Sequence, residues 1–102
     1  MSAAHRYCVY LLTNATRSVL YTGITNDLRT RLHQHIQSRG NPKTFTGRYQ
    51  CYLLVYFEYW PNPTAAITRE KEIKLWNRAK KNALVEQLNP TWQAIDLETW
   101  EG

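Results

Sequence analysis

The stretch Tyr21-Thr22-Gly23-Ile24-Thr25-Asn26-Asp27-Leu28-Arg29-Thr30-Arg31-Leu32-His33-Gln34-His35 contains the change of period that decides the fold. Val19 to Ile24 is rich in β-branched and aromatic residues, the composition of a strand. From Leu28 onward apolar residues return every four positions, at Leu28, Leu32 and Ile36, the spacing of a helix with one buried stripe. Between the two regimes, Gly23 lets another group approach the backbone closely or lets the strand bend out of its sheet. Thr25 or Asn26 is placed to cap the helix, and Asp27 favours its positive N-terminal end. Arg31 and His35 fall along one border of the stripe, Arg29 and His33 along the other. Each border pairs a guanidinium with an imidazole, and spacing alone does not choose between them. Such a pair beside a strand-end tyrosine makes an anion site.

Upstream, Tyr7 to Thr13 reads as a strand. Asn14-Ala15-Thr16-Arg17-Ser18 is a turn-forming cluster, so the two strands make an antiparallel hairpin with Tyr10 and Tyr21 able to face each other. The residues from Met1 to Arg6 read as a loose lead-in. Downstream, the helix ends near Ser38 to Gly40, where Gly40 and Pro42 stop it. Asn41 to Gln50 is a polar, basic connection that carries Lys43, Thr44, Thr46 and Arg48, and by composition it is a solvated loop. Cys51 to Tyr59 is apolar almost throughout, which suits a strand covered on both faces and predicts helices above and below the sheet. Trp60-Pro61-Asn62-Pro63 breaks that strand.

Thr64 reads as the N-cap of a helix running to about Lys81, with Ala83 to Leu88 a further short helical piece ended by Asn89-Pro90. On a wheel at ~100° per residue, Ala66, Ile67, Ile73 and Asn77 share one face with Glu70 near its centre, while Glu72 points away. A carboxylate among apolar neighbours needs a cation or a metal as partner. The alternative is that Glu70 reaches past the stripe to a lysine or to solvent. Lys71, Lys74, Arg78, Lys80 and Lys81 make the same helix basic, which suits phosphate contacts and equally a solvated face. Trp92 and Trp100 are expected to cover the edge of the core.

The chain of 102 residues is the size of one domain, with a core from about residue 6 to 93 and an acidic tail from 94 to 102. Its formal charge is +5, yet the 13 Lys and Arg all precede Ile95, where only Asp27, Glu58, Glu70, Glu72 and Glu86 oppose them. A surplus of eight positive charges in the domain proper favours nucleic acid as a partner. No segment approaches the ~20 apolar residues of a membrane span, and Tyr7 to Leu12 is too short and aromatic for a signal peptide. Cys8 and Cys51 fall in strand-like runs and read as two buried free thiols of a cytoplasmic protein, since two cysteines spell neither a disulfide framework nor a zinc site.

Tyr21-Thr22-Gly23, preceded by Cys8-Val9-Tyr10, resembles the paired motif of the GIY-YIG nuclease superfamily. Asn26 to His35 resembles the first helix of that family. Lys43-Thr44-Phe45-Thr46-Gly47-Arg48 and Ala66-x-x-Arg69-Glu70-Lys71-x-Ile73-Lys74-x-Trp76 fit its small single-domain bacterial members. Four blocks in the right order span nearly the whole chain. Cys8 departs from the family's glycine and Thr22 from its usual isoleucine. Ile24 stands where some repair-type members carry a lysine, so help from that cation is absent here.

The resemblance implies an α+β domain with a small central antiparallel three-stranded sheet flanked by helices. It implies a metal-dependent endonuclease acting on DNA in repair or recombination, with RNA not excluded. It assigns Glu70 as ligand of a divalent metal, Mg²⁺ or Mn²⁺, with Tyr21 as general base toward water and Tyr10 holding the water or phosphate. An ordinary tyrosine, with a pKa of about 10, is a poor base at neutral pH unless nearby positive charge depresses it. The resemblance breaks the helix-border tie toward Arg31 as phosphate clamp, guanidinium donors matching phosphate geometry. It leaves His35 to orient Tyr21, contact phosphate or shuttle a proton. His33 and His35 diverge on a helix and make a poor metal pair. Lys43, Arg48, Lys74 and Arg78 are the expected nucleic-acid contacts, and Asn82 or Asn89 can supply the asparagine that the family often adds after its glutamate. With the catalytic fold occupying nearly the whole chain, specificity is expected from loops, a homodimer or a protein partner. A non-catalytic nucleic-acid binding module of the same fold is the alternative. A basic domain docking onto an acidic protein would leave Tyr10, Tyr21, Arg31 and Glu70 unexplained.

Overall fold

Three strands, β1 (Tyr7–Thr13), β2 (Leu20–Thr25) and β3 (Leu53–Trp60), form one antiparallel sheet in the order β2-β1-β3. The computed structural model describes residues 6–100, so of the expected lead-in only Arg6 falls within them. The hairpin turns where Asn14 Oδ1 accepts the backbone N–H groups of Ser18 and Val19 at 2.9 and 3.1 Å. Arg17 takes a positive φ of 59° in that turn.

β1 is the central strand, and from Cys8 to Thr13 it is wholly buried. Its side chains divide by the period of two. Val9 and Leu11 join one core layer, while Cys8, Tyr10 and Leu12 join the other. Against β3 the register slips between Leu11, opposite Tyr56, and Leu12, opposite Leu54. Val55 is the extra residue of this bulge, and it lies with Tyr56 in the same core layer.

Both faces carry helices, as the apolar run in β3 predicts. One layer is closed by α3 (Pro63–Leu75) and α4 (Arg78–Leu88), which bury Ala66, Ile73, Leu84 and Val85. The other is closed by α1 (Leu28–Gln37) and the chain after α4. A further helical turn, α2 (Phe45–Arg48), stands inside what composition marks as a loop. Thr44 caps it by accepting from Gly47 N, a local bond that gives a short polar segment a fixed shape.

Caps account for most boundary differences. Asp27, rather than Thr25 or Asn26, caps α1, its carboxylate accepting from Thr30 N–H at 3.1 Å and from the Thr30 hydroxyl at 2.8 Å. Thr25 turns back to brace Asp27. α3 is capped by Asn62 rather than Thr64, because Asn62 Oδ1 reaches Ala65 N–H at 2.8 Å. Pro63, lacking an N–H, fits the first helical position. The single helix expected to Lys81 is two. Trp76 is extended (φ −71°, ψ 152°), Asn77 caps α4 through Lys80 N–H, and Trp76 packs on the core where a continuous helix would carry it past.

Two stripes are also rotated from the wheel. On α1, Leu28 and His35 are buried and Ile36 is 46% exposed. On α3, Ile67 is 43% exposed while Ala66 and Ile73 are fully covered, so the buried face is centred between Arg69 and Glu70. The expected core limit near residue 93 is passed: Ile95 is buried, its N–H bonds to Leu54 O at 2.8 Å, and Leu97 and Trp100 pack beside it. Cys8 and Cys51 are free and buried, as expected of the two thiols, and burial pushes the Cys8 thiol up to about 12.

A partly buried ion pair pins α3 to the sheet. Arg69 Nε and Nη2 meet the Glu58 carboxylate at 2.8 and 3.3 Å, and Trp60 Nε1 donates to it at 2.6 Å. The Tyr56 hydroxyl donates as well. Burial opposes charge on Glu58, but the bonds from Arg69, Tyr56 and Trp60 outweigh it and hold its carboxyl below the usual range. Arg69→Ala should therefore destabilise the fold by about 2–3 kcal/mol, below the ~3–5 kcal/mol of a fully buried pair because both side chains keep some solvent contact. A lowered carboxyl pKa contributes stability above the unfolded value near 4.5, lost as pH falls through the folded value. Urea unfolding of wild type and variant at pH 7 and pH 3 checks this: their difference should shrink in acid.

Candidate active site

Tyr10 and Tyr21 come from neighbouring strands but are not directly opposite. In the ladder Tyr10 pairs with Gly23 and Leu12 with Tyr21, so the two tyrosines meet on the diagonal, ring centroids 6.3 Å apart. The missing side chain of Gly23 makes room for Tyr10. A Cβ there would stand 2.5 Å from both Tyr10 Cζ and its hydroxyl oxygen. Of the two uses of Gly23, close approach is the one realised, and the approaching group is an aromatic ring.

Passing over Gly23, the Tyr10 hydroxyl lies 2.9 Å from His35 Nε2. His35 Nδ1 lies 3.2 Å from Thr46 Oγ1 of α2. In a neutral imidazole one nitrogen donates and the other accepts, and hydroxyls on both sides suit either tautomer. The His35 ring also meets the Tyr21 ring edge-on, centroids 5.7 Å apart. A cavity of about 410 Å³ opens beside this group, lined by Tyr21, Arg31, Gln34, His35, Thr44 and Phe45 among others.

The helix-border tie is thus decided by what lies against each border. Arg31 and His35 turn to the tyrosines. Arg29 pairs with Glu98 of the C-terminal segment, and with His33 it lines a separate cavity against Ile95 and Leu97.

The titrating groups are sorted by burial. Desolvation pushes Tyr10 well above its ordinary value, with the nearby Tyr21 adding to this and Arg31 opposing it. Tyr10 is fully covered, so it is a neutral buried partner of His35 and does not itself touch solvent or substrate here. Desolvation, then the positive charge of Arg31, lowers His35, which keeps the imidazole neutral at pH 7. His35 bonds Tyr10 and Thr46, and its contact with Tyr21 is ring against ring.

Glu70 stands elsewhere. It projects from α3, whose buried residues belong to the core layer on the opposite face from the tyrosines. Its carboxylate meets Lys74 Nζ at 2.8 Å, one turn along, and its side chain is 13% exposed. The cation that burial of this carboxylate requires is therefore present in the chain itself. The ion pair is made through Oε2. A single, largely buried carboxylate is the donor here, and it fits a hydrated Mg²⁺ or Mn²⁺, which binds through one or two carboxylates and keeps waters. Among the described residues, no three His, Cys, Asp or Glu side chains gather into an all-protein metal cage.

The other named cations differ in freedom. Lys43 and Arg48 are exposed on the segment carrying α2, and Lys74 is exposed beyond its pair with Glu70. Arg78 is a clamp: its three guanidinium nitrogens donate to Asn82 Oδ1, Ser18 O and Arg17 O at 2.8–2.9 Å, tying α4 to the hairpin turn. Asn82 is engaged by that clamp. Asn89 is buried and bonds Val55 O and Gln93 O, holding the C-terminal segment to β3. Neither asparagine lines the cavity of Tyr21 and Arg31. Phe45 and Thr46 do line it, although their block carries no spacing rule that would pick them out.

Gly23→Ala should displace the Tyr10 ring, break its bond to His35 and cost about 1–3 kcal/mol through overpacking. Denaturant melts should register the loss of stability, and the His35 ring protons should shift in NMR spectra of the folded variant.

Comparisons with known proteins bear on the family and the fold. The family model described as the GIY-YIG catalytic domain matches residues 6–83. A UPF0213 protein of Natronomonas pharaonis is 41% identical over 83 residues, covering 81% of this chain and 93% of that one. One of Bacillus pumilus is 33% identical over 95 residues, covering 93% and 94%. The solution NMR structure of a UPF0213 protein from Bacillus halodurans superposes with a TM-score of 0.54 at 30% identity, covering 87% of this chain and 92% of that one.

Proposed function

The chain belongs to the GIY-YIG catalytic domain family, a nuclease superfamily, and from that premise we propose that it is a metal-dependent endonuclease hydrolysing phosphodiester bonds in DNA. The observation that carries the proposal is the cavity in which Tyr21, Arg31 and His35 converge, with Tyr10 locked behind them. The cavity accepts a phosphate. The Arg31 guanidinium holds its non-bridging oxygens, and the hydroxyl of Tyr21, which is partly buried, takes a proton from the attacking water. His35 and Tyr10 position Tyr21 by packing and by their own hydrogen bond, so Tyr10 is a positioning residue and not a water ligand.

Glu70 would be the ligand of Mg²⁺ or Mn²⁺. Bound there, the metal would supply charge neutralisation at the phosphate and stabilisation of the leaving oxygen. β2 is an edge strand; α3 packs against it, and Tyr21 of the same strand meets His35 of α1 edge-on. The carboxylate and the guanidinium thus belong to helices on opposite faces that share this one edge. Lys43, Arg48 and Lys74 add phosphate contacts along the strand. A role in repair or recombination in the cytoplasm, with specificity from a second copy or a protein partner, fits the small basic fold and its free buried thiols. No helix among the described residues is long and apolar enough to cross a membrane.

The Lys74–Glu70 ion pair favours one competing reading, a nucleic-acid binding module that no longer recruits a metal. Labelled duplex, branched and single-stranded DNA, and RNA, incubated with Mg²⁺, Mn²⁺ or EDTA, separate the two. Cleavage with metal and none with EDTA is expected. Affinity should fall steeply with salt, because phosphate contacts release counterions. Tight, salt-sensitive binding without cleavage under any condition would establish the binding module instead.

A further inference from the structure

The segment between α1 and β3 presents two aromatic rings that no core residue requires. Phe45 is 48% exposed and Tyr49 is 43% exposed. They form a ladder that starts inside the cavity: Tyr21 to Phe45 is 5.9 Å between centroids at 32°, and Phe45 to Tyr49 is 4.7 Å at 47°. The segment holding them is firmly built. Gly40 N–H bonds Gly47 O at 2.7 Å, Asn41 N–H bonds Ser38 O at 2.9 Å, and Thr46 is bonded to His35. Gly47 packs so closely that a Cβ would stand 2.5 Å from the carbonyl oxygens of Asn41 and Ser38. Two half-exposed rings on a braced segment lose little entropy when a flat group stacks on them.

We propose that Phe45 and Tyr49 form a stacking platform for an unpaired nucleobase adjoining the phosphate held by Arg31, so that the site selects single-stranded or locally unpaired nucleic acid. This rests on the nuclease reading of the same cavity. A base inside a duplex has both faces covered by its neighbours, and only an unstacked one offers a face to the rings. Lys43 and Arg48 flank the rings on the same segment, both exposed, and they track the backbone while the rings take the base. The ladder begins at Tyr21, which ties the platform to the reacting phosphate and not to a remote surface.

The test is binding without cleavage, by fluorescence anisotropy in EDTA. The probes are a labelled oligodeoxynucleotide, an abasic strand of equal phosphate count, the matching duplex and an oligoribonucleotide of the same sequence. The single strand should bind roughly tenfold more tightly than the abasic strand, since stacking contributes about five- to a hundred-fold per base. Phe45→Leu with Tyr49→Leu should erase that difference, while Phe45→Tyr and Tyr49→Phe should keep it. Both rings are half-exposed, and unchanged thermal melts of these variants would confirm that the fold is retained. Preference for the ribonucleotide or deoxyribonucleotide strand names the source of the base. Equal affinity for base-bearing and abasic strands, or a preference that survives the double leucine variant, overturns the platform while leaving the nuclease reading in place. Failure to bind any of the four probes overturns both.

Discussion

Arg31→Ala is expected to cleave DNA about a hundred- to a thousand-fold more slowly than wild type in single turnover, a loss of ~2.7–4 kcal/mol in transition-state stabilisation. Arg31 lines the cavity with Tyr21 and His35, and its charge acts on both Tyr10 and His35. A guanidinium there gains strength as negative charge builds on the phosphate oxygens, so its removal should lower kcat more than it weakens substrate binding. Arg29→Ala is the control from the same helix. Its partner is Glu98 in the C-terminal segment, both side chains are well exposed, and the pair adds little to stability. Its cleavage rate should stay near wild type apart from one nonspecific phosphate contact. If Arg29→Ala were the crippled variant and Arg31→Ala active, the site assigned to Tyr21 and Arg31 would be wrong.

Glu70→Gln should remove metal-dependent cleavage altogether while leaving the fold intact. The loss of a metal-supported step is worth several kcal/mol, on the order of a thousandfold or more in rate. Glutamine keeps the shape of the side chain, and Lys74 is left exposed to solvent, so the melting behaviour should hardly change. Glu72→Gln, at an exposed position, should be nearly neutral. The informative third variant is Lys74→Gln. With its cation gone, Glu70 should take Mn²⁺ more readily, and cleavage should saturate at lower metal concentration even if the strand binds less well. Full activity in Glu70→Gln would end the metal assignment; unchanged metal dependence in Lys74→Gln would show that the pair does not compete with the metal. Charge reversal at Arg78 is a poor probe of DNA contact by comparison, because it would first break the clamp onto Ser18 O and Arg17 O.

Local pattern carried most of the architecture. The strand-like run Tyr7 to Thr13 with its turn cluster, the switch to four-residue spacing at Leu28 and the nearly continuous apolar run before Trp60 were enough for a hairpin, a helix and a doubly covered third strand. These are nearest-neighbour properties, and they survive into the fold because backbone geometry sets them. Boundaries moved where polar residues competed for one orphan N–H and where a side chain turned onto the core. Asp27 prevailed over Thr25 and Asn26 because its carboxylate reaches both the N–H and the hydroxyl of Thr30. Asn77 became a cap once Trp76 turned onto the core.

The chain by itself determined which chemical groups were on offer: two tyrosines on one hairpin, two Arg–His borders on one helix, a glutamate on a basic helix. Only the tertiary structure decided which of them meet. The choice of Arg31 and His35 over Arg29 and His33 follows from what covers each border, α2 and the tyrosines on one side and the segment carrying Ile95 and Glu98 on the other. The diversion of Arg78 to a turn sixty residues earlier, and the hold of Lys74 on Glu70, likewise come from contacts fixed by packing. Periodicity places a side chain on a face. What it bonds there depends on which distant segment the hydrophobic layers bring against that face, and no local rule contains that partner.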